Sequence, residues 1–279
     1  MRGRELGLGG AAKVMGVVNV SRDSFYEHID SLDAAVAAAR AMVAAGAALI
    51  DLGGQSYAAG NGSVSADEER RRVVPAVRAL ADARLDAVLS VDTYTESVAA
   101  AALAAGAHLV NDCSGLSDPA LAETVAEHDA GLVVMHLKGR LKVREPEAWV
   151  YDDVMAEIID FLYERTERAV AAGVRRDAIV VDPGLEFGKE PAADLEILRR
   201  FGELRVLGYP ILLAASRKSF LGRIVGRPAA ELLPASLGAA AVGIAAGATL
   251  VRTHDVAETV QLAQLMAAVA GNSVTVQPV

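Results

Sequence analysis

Eight short apolar runs in this chain each end at, or carry, a residue able to do chemistry. The run 14–18 ends at Asn19, 47–52 carries Asp51 and leads into Gly53-Gly54-Gln55, 87–91 ends at Asp92, and 108–110 ends at Asn111-Asp112. The run 132–135 ends at His136, 179–181 at Asp182, 211–215 at Ser216-Arg217-Lys218, and 248–251 at Arg252-Thr253-His254. Two kinds of group recur. Arg217, Lys218, Arg252 and His254 form a cationic set, in which guanidinium forks and a lysine point charge suit an oxyanion. Asp92, Asn111 and Asp182 form an acidic and carboxamide set, suited to the donor edge of a flat, amino-substituted heterocycle. The same set is compatible with a hard cation such as Mg²⁺ held jointly with a diphosphate, because that ion needs few protein ligands. The chain has no nucleophile elbow, Walker loop or Ser/His/Asp pattern. The chemistry indicated is displacement of an anionic leaving group, driven by positioning and electrostatics.

Something must bring these residues together. Between the apolar runs lie segments with helical spacing, at 33–45, 66–81, 95–105, 119–127, 152–172, 194–201, 234–246 and 257–270. Strands rich in Val, Ile and Leu that alternate with such helices predict βα units and a parallel sheet. Gly46, Gly106, Gly173 and Gly247 stand where a helix hands over to the next strand, as left-handed helix caps do. The expected fold is α/β, a (β/α)₈ TIM barrel forming a single domain over 1–279, with a Gly-rich lead-in at 1–11. A length of 279 residues suits one such barrel. Barrels gather their sites at the C-terminal ends of their strands, and commonly bind phosphate after strands seven and eight. The scattered set therefore converges on one mouth. Loops at 21–31, 55–65 and 137–151 are long enough to hold substrate there.

Composition narrows the class further. Apolar residues make up 53% of the chain and aromatics only 4%, so alanine and small aliphatics must pack the helices against the sheet. A net charge of −9 excludes a general nucleic-acid binder and makes a local basic cluster meaningful. The lone Cys113 leaves neither an internal disulfide nor a thiolate metal site, and is expected to be buried and inert. The apolar stretch 237–251 falls short of the ~18–20 residues a spanning helix needs, so a buried helix running into strand eight is expected, with no membrane partner. No signal peptide is recognisable, and a cytoplasmic chain is expected. Other residues take plainer readings. Asp51, inside its strand, is expected to be structural, and His108 and His128 lie outside the mouth. His136 is poised between touching substrate and packing. Trp149 either lines a pocket or staples the following helix. The basic run 138–144 reads as a solvated loop.

Along nearly its whole length the chain resembles the dihydropteroate synthases. "MGVVNVSRDSF" (15–25), "GAALIDLGGQS" (46–56), "LSVDTY" (89–94) and "GAHLVNDCSG" (106–115) follow the family's order. So do "VVMHLKG" (133–139), "VVDPGLEFGK" (180–189), "ASRKSFLG" (215–222) and "VRTHDV" (251–256). The resemblance implies a pterin-binding barrel that joins 6-hydroxymethyl-7,8-dihydropterin diphosphate to p-aminobenzoate, releasing pyrophosphate. It implies that Asp92, Asn111, Asp182 and Lys218 hydrogen-bond the pterin while Met135 and Phe187 line its pocket. Arg252 would pack over the ring and, with His254 and Asn19, hold the diphosphate, Asn19 through Mg²⁺. Ser219 would face the aminobenzoate carboxylate. Asp92, Lys218, Arg252 and His254 would carry the catalysis, and a homodimer is implied.

The departures from the family concentrate in the loops. Where the family usually reads Thr-Pro-Asp-Ser-Phe-Ser-Asp-Gly, this chain has Ser21-Arg22-Asp23-Ser24-Phe25-Tyr26-Glu27-His28. Where it reads Gly-Glu-Ser-Thr-Arg-Pro-Gly, the chain has Gly54-Gln55-Ser56-Tyr57-Ala58-Ala59-Gly60. Glu186 replaces a usual glycine. The first- and second-loop changes fall on the aminobenzoate side, and Arg22 is a candidate to restore the lost charge. Plasmid-borne, sulfonamide-resistant synthases also lack the second-loop arginine motif, which implies a sulfonamide-insensitive enzyme. The alternatives are a paralogue that alkylates a different amine, a pterin-dependent methyltransferase and a non-catalytic pterin-binding protein.

Overall fold

Alternation along the strands explains the architecture. The computed structural model describes residues 3–20, 31–55, 62, 64–143 and 149–272. The strands are β1 (Lys13–Asn19), β2 (Leu49–Gly53), β3 (Val88–Asp92), β4 (Leu109–Asp112), β5 (Gly131–Met135), β6 (Ile179–Asp182), β7 (Leu212–Leu213) and β8 (Leu250–Thr253). All pair in parallel in the order β6-β5-β4-β3-β2-β1-β8-β7. An isolated parallel bridge between Val181 and Ile211 brings the two ends together. Around them run α1 (Leu32–Ala44), α2 (Ala66–Asp82), α3 (Glu96–Ala105), α4 (Ala120–Glu127), α5 (Val154–Ala171), α6 (Pro191–Arg199), α7 (Ser219–Val225), α8 (Leu233–Ala246) and α9 (Val256–Val269). This is the expected (β/α)₈ barrel.

Successive strand residues face opposite sides of the sheet. One set points outward, including Val18, Ile50, Leu89, Val110, Leu132 and Val181, and merges with the inner faces of the helices in one apolar cluster. The other set points into the barrel. Its lowest layer takes one residue from each strand: Met15, Leu49, Val88, Leu109, Val133, Val180, Leu212 and Leu250. Leu6 and Leu8 of the lead-in pack against this layer, so the lead-in closes the barrel floor. Two residues further along, the same inward parity gives Asp51, Ser90, Asn111, Met135, Asp182 and Arg252. The barrel is apolar at its floor and polar toward its mouth.

The structure adjusts the expected boundaries. Asn19, Asp92, Asp112 and Asp182 are the last residues of their strands, and Arg252 lies inside β8. The seventh strand is two residues long, although the apolar run extends over 211–215. Pro210 precedes it and has no N–H to donate, so its contribution to the seam is a carbonyl that accepts from Val181 N–H at 2.9 Å. Helix α7 was not foreseen: seven residues are too few for a helical period to show. The stretch 237–251 is, as expected, most of α8 followed by β8. Among the described residues no helix is long and apolar enough to cross a membrane.

Small residues set the close packing. A Cβ on Gly243 of α8 would lie 2.3 Å from Leu213 of β7, and one on Gly184 would lie 2.0 Å from the His136 carbonyl oxygen. Gly184 also has φ +67, so a side chain there is strained twice over. Gly184→Ala is expected to cost at least about 2 kcal/mol of stability, whereas Gly238→Ala on α8, with nothing within 4 Å of its added Cβ, should be neutral or slightly stabilising. Thermal melts of the two variants check the contrast.

Candidate functional site

The middle of the barrel holds a buried charge network. Arg252 reaches across from β8, placing Nε 2.7 Å from Asp51 Oδ2 and Nη2 2.8 Å from Asp92 Oδ2. Ser90 Oγ donates to Asp51 Oδ1 at 2.5 Å, and Asn111 Nδ2 donates to Asp51 Oδ2 at 3.0 Å. Asp51 is therefore structural, as expected, and it is also the anchor of the residues expected to bind ligand. Burial opposes the Arg252 charge, yet Asp51 and Asp92 outweigh it and hold the guanidinium above its ordinary pKa. Burial pushes Asp92 up to about 8, against the pull of Arg252 and with the like charge of Asp51 adding to the rise. A ligand that donates hydrogen bonds to Asp92 would relieve this.

Around the network stand the other members of the expected set. Burial raises Asp182, whose Oδ1 accepts the Gly184 N–H at 2.7 Å, while nearby Lys218 pulls it down. Lys218 Nζ donates to the Leu185 carbonyl at 2.5 Å and lies 5.0 Å above the centre of the Phe187 ring. Met135 packs on buried Cys113, with Tyr94, Leu141 and Phe187 against them. A flat apolar shelf thus adjoins carboxylates, a carboxamide and two cations. That combination suits a planar, amino-bearing heterocycle.

At the basic end, the Ser216 hydroxyl lies 3.0 Å from His254 Nδ1. Burial, with Arg252 and Arg217 adding repulsion, lowers the His254 pKa to about 4. Arg217, expected in the anion-binding set, is committed elsewhere. Its Nε and Nη2 meet the Asp255 carboxylate at 2.9 and 2.5 Å, and Nη1 donates to the Ala229 and Ala230 carbonyls. It ties the loops after β7 and β8 together, and although it lines the mouth with Lys218, Arg252 and His254, its guanidinium is taken up by Asp255 and two carbonyls. A cavity of about 540 Å³ is lined by Arg252, His254, Lys218, Phe187, Trp149, Glu186 and Arg223 among others. Of the two readings of Trp149, the structure supports the pocket lining.

Asn19 ends β1 at the same mouth. A Cβ added to Gly53 would lie 3.2 Å from Asn19 Oδ1 and 3.8 Å from Asp92 Cβ, so Asn19 and Asp92 flank this glycine closely and a side chain there would press on the Asn19 amide. Among the described residues no group of three or more His, Cys, Asp or Glu is poised to hold a metal. One amide oxygen fits a hard cation whose remaining ligands come from phosphate and water, not a self-contained metal centre. Ser219 opens α7, exposed to the mouth, with its Oγ donating to Glu186 Oε1 at 2.8 Å. Arg22 lies outside the described residues, as do Ser21–His28 as a whole.

His136 is buried against the edge of Phe161, and its Nδ1 lies 2.9 Å from Lys189 Nζ, so it packs and positions. Lys189, which sequence reasoning overlooked, also donates to the Gly184 and Phe187 carbonyls at 2.8 and 2.9 Å. It pins the loop that carries Phe187; its only signal was its place at the end of the sixth-strand motif. The basic run is solvent-exposed at Gly139, Arg140 and Val143, as expected, but two of its lysines are tied to the barrel. Lys138 pairs with Glu157 at 2.6 Å and sits over the Tyr151 ring, and Lys142 donates to Gln55 Oε1 at 2.5 Å, joining the fifth loop to the second. His108 and His128 are structural: His108 Nδ1 accepts the Leu89 N–H, and His128 Nδ1 lies by the Thr124 carbonyl.

The His254 environment can be checked directly. In an NMR titration of the ligand-free protein its imidazole should titrate near 4, and Ser216→Ala should leave that midpoint below the usual histidine range because burial and the two arginines persist. A midpoint near 6.5 would show that the ring is not buried as described.

Comparison with known proteins agrees with this geometry. The family model described as "Pterin binding enzyme" matches residues 15–254. Dihydropteroate synthase of Escherichia coli is 38% identical, over 91% of this chain and 90% of that protein. A Mycobacterium leprae protein named inactive dihydropteroate synthase 2 is 40% identical, over 92% of this chain and 90% of its own length. The crystal structure of Yersinia pestis dihydropteroate synthase with a sulfonamide drug superposes with a TM-score of 0.92 at 38% identity, covering 97% of this chain and 98% of that one. With family model, relatives and solved structure in agreement over the whole barrel, the chain belongs to the dihydropteroate synthase family of pterin-binding transferases.

Proposed function

We propose that this chain joins 6-hydroxymethyl-7,8-dihydropterin diphosphate to an arylamine of the p-aminobenzoate type, with release of pyrophosphate. The observation that carries the reading is the joining of two halves in one mouth. Asp92, Asn111, Asp182 and Lys218 offer a carboxylate-rich, planar-ring site. Arg252, which belongs to both halves, links it to the anion end at His254. A binding protein for the ring alone has no use for the second half.

The reaction breaks the C–O bond between the pterin methylene and the diphosphate, and forms a C–N bond to the amine, which then loses a proton. Positive charge grows on the pterin methylene as the bond breaks, and the carboxylates of Asp92 and Asp182 stabilise it electrostatically. Once the ring takes over Asp92, the Nη2 of Arg252 is released toward the diphosphate, and His254 lies beside it. An anion there favours the protonated imidazole, so His254 gains charge as the leaving group develops it. Mg²⁺, when bound with the diphosphate, would neutralise leaving-group charge, with Asn19 as its protein ligand. Met135 and Phe187 keep water from the ring. Ser219, with Arg22 from the first loop, is read as facing the acceptor. The protein is further read as a cytoplasmic homodimer, a reading supported by exposed Val242 on α8 and by Leu265 and Val269 on α9.

The test is pyrophosphate release from the pterin diphosphate in the presence of Mg²⁺, with and without p-aminobenzoate. Release that depends on the amine and yields dihydropteroate supports the reading. Asp92→Asn should lower kcat by about 100-fold or more while the protein still melts cooperatively. Tight pterin binding with no release under any condition would instead identify a non-catalytic paralogue.

A further inference from the structure

The loop after β6 turns three times through the left-handed region, at Gly184 (φ +67), Glu186 (φ +70) and Gly188 (φ +69). Two of these residues are glycines, as that conformation favours. Glu186 is not, and its side chain shows what holds it there. Its N–H donates to Asp194 Oδ1 at 2.8 Å. Its Oε1 accepts from Ser219 Oγ at 2.8 Å and from the Phe220 N–H at 2.6 Å. Ser219 and Phe220 line the same cavity as Arg252 and His254. With the leaving group held by Arg252 and His254, these donors are left for the acceptor's substituent.

The cations near Glu186 already have partners. Arg223 meets Glu190 at 3.2 Å, Lys189 is held by His136 and two carbonyls, and Lys218 donates to Leu185. Two acids stand side by side there, although basic residues also line the cavity and Lys218 feels the Glu186 charge. Asp194 is fully buried beside Glu186, with Oδ2 lacking a hydrogen-bond partner, and burial raises its pKa to about 6, with Glu186 contributing to the rise.

We infer that Glu186 determines acceptor specificity: its carboxylate occupies the donors of Ser219 and Phe220 that an acceptor carboxylate would need, so the site prefers arylamines with a neutral, hydrogen-bond-donating para substituent over anionic ones. The inference rests on the proposed alkylation of an amine by a pterin diphosphate. It names the acceptor class for that reaction and treats p-aminobenzoate as a weak substrate. Anionic sulfonamides that compete for the same end are disfavoured for the same reason.

Steady-state pyrophosphate release separates the possibilities, using p-aminobenzoate and p-aminobenzamide with the wild-type enzyme, Glu186→Gly and Glu186→Gln. Glycine suits the backbone at φ +70, so the first variant should fold at least as well as the wild type. Glutamine keeps the bulk and removes the charge. The wild type should prefer the amide. Glu186→Gly should lower the KM for the acid about tenfold or more, the scale of about 1.4 kcal/mol of binding, and move the preference toward the acid. Glu186→Gln should move it part of the way, and inhibition by sulfamethoxazole should strengthen in parallel with the acid. An acid-to-amide ratio equal in all three proteins overturns the inference while leaving the alkylation reading intact. No release with any arylamine overturns both.

Discussion

The structure depends on one guanidinium. Arg252 holds Asp51 and Asp92 together inside the barrel, one layer above an apolar floor that offers a lone charge no polar partner. Breaking such a buried pair from one side costs about 3–5 kcal/mol, because the remaining charge is left uncompensated. Asp51 and Arg252 lie on strands that flank β1, and Asp92 lies on β3, so the network has its geometry only when β8 has paired with β1. The chain separation is large, 201 residues between Arg252 and Asp51. The site and the closed sheet are therefore established together.

This arrangement stores the means of binding in the empty protein. Arg252 occupies hydrogen-bond positions on Asp92 that a ring would take, and burial leaves Asp92 short of compensation. Asp51 keeps its hold on Arg252, through Ser90 and Asn111, whichever way Asp92 turns. A second tie, Lys189 on the His136 ring and two carbonyls, fixes the loop that carries Phe187. The pterin side of the mouth is built from strand residues and such ties, which favours a preorganised surface.

Much of this was legible in the residues themselves. The alternation of apolar runs and helical segments specified the barrel, and its strand ends held Asn19, Asp92, Asn111, Asp182, Lys218, Arg252 and His254. Parity adds what position alone did not: Leu49, Asp51 and Gly53 share one face of β2, so Asp51 points up the same interior as Asp92 and Arg252. Other features needed three dimensions. Arg217 and Lys218 are neighbours in sequence, and only the turn after β7 decides that one meets Asp255 while the other lies over the Phe187 ring. The basic run looked solvated because its partners, Glu157 and Gln55, come from distant segments. The unusual character of Glu186 was visible as a lost glycine, but the hydrogen bonds that replace it were not.

The seam of the barrel has a consequence for how such a protein changes over time. Among the described residues β6 and β7 meet through one bridge, Val181–Ile211, and β7 contributes two residues to the sheet. The loops that leave these two strands carry Glu186 and Ser219, whereas the charge network hangs on β2, β3, β4 and β8. Substitutions near the seam thus disturb few ladder hydrogen bonds and leave the Arg252 network untouched. Loop positions beside the seam, such as Glu186 and Ser219, are free to drift under selection while the Arg252 network is held by the fold's own stability, and Asp182 and Lys218, which belong to the same two strands and their loops, mark where that freedom ends.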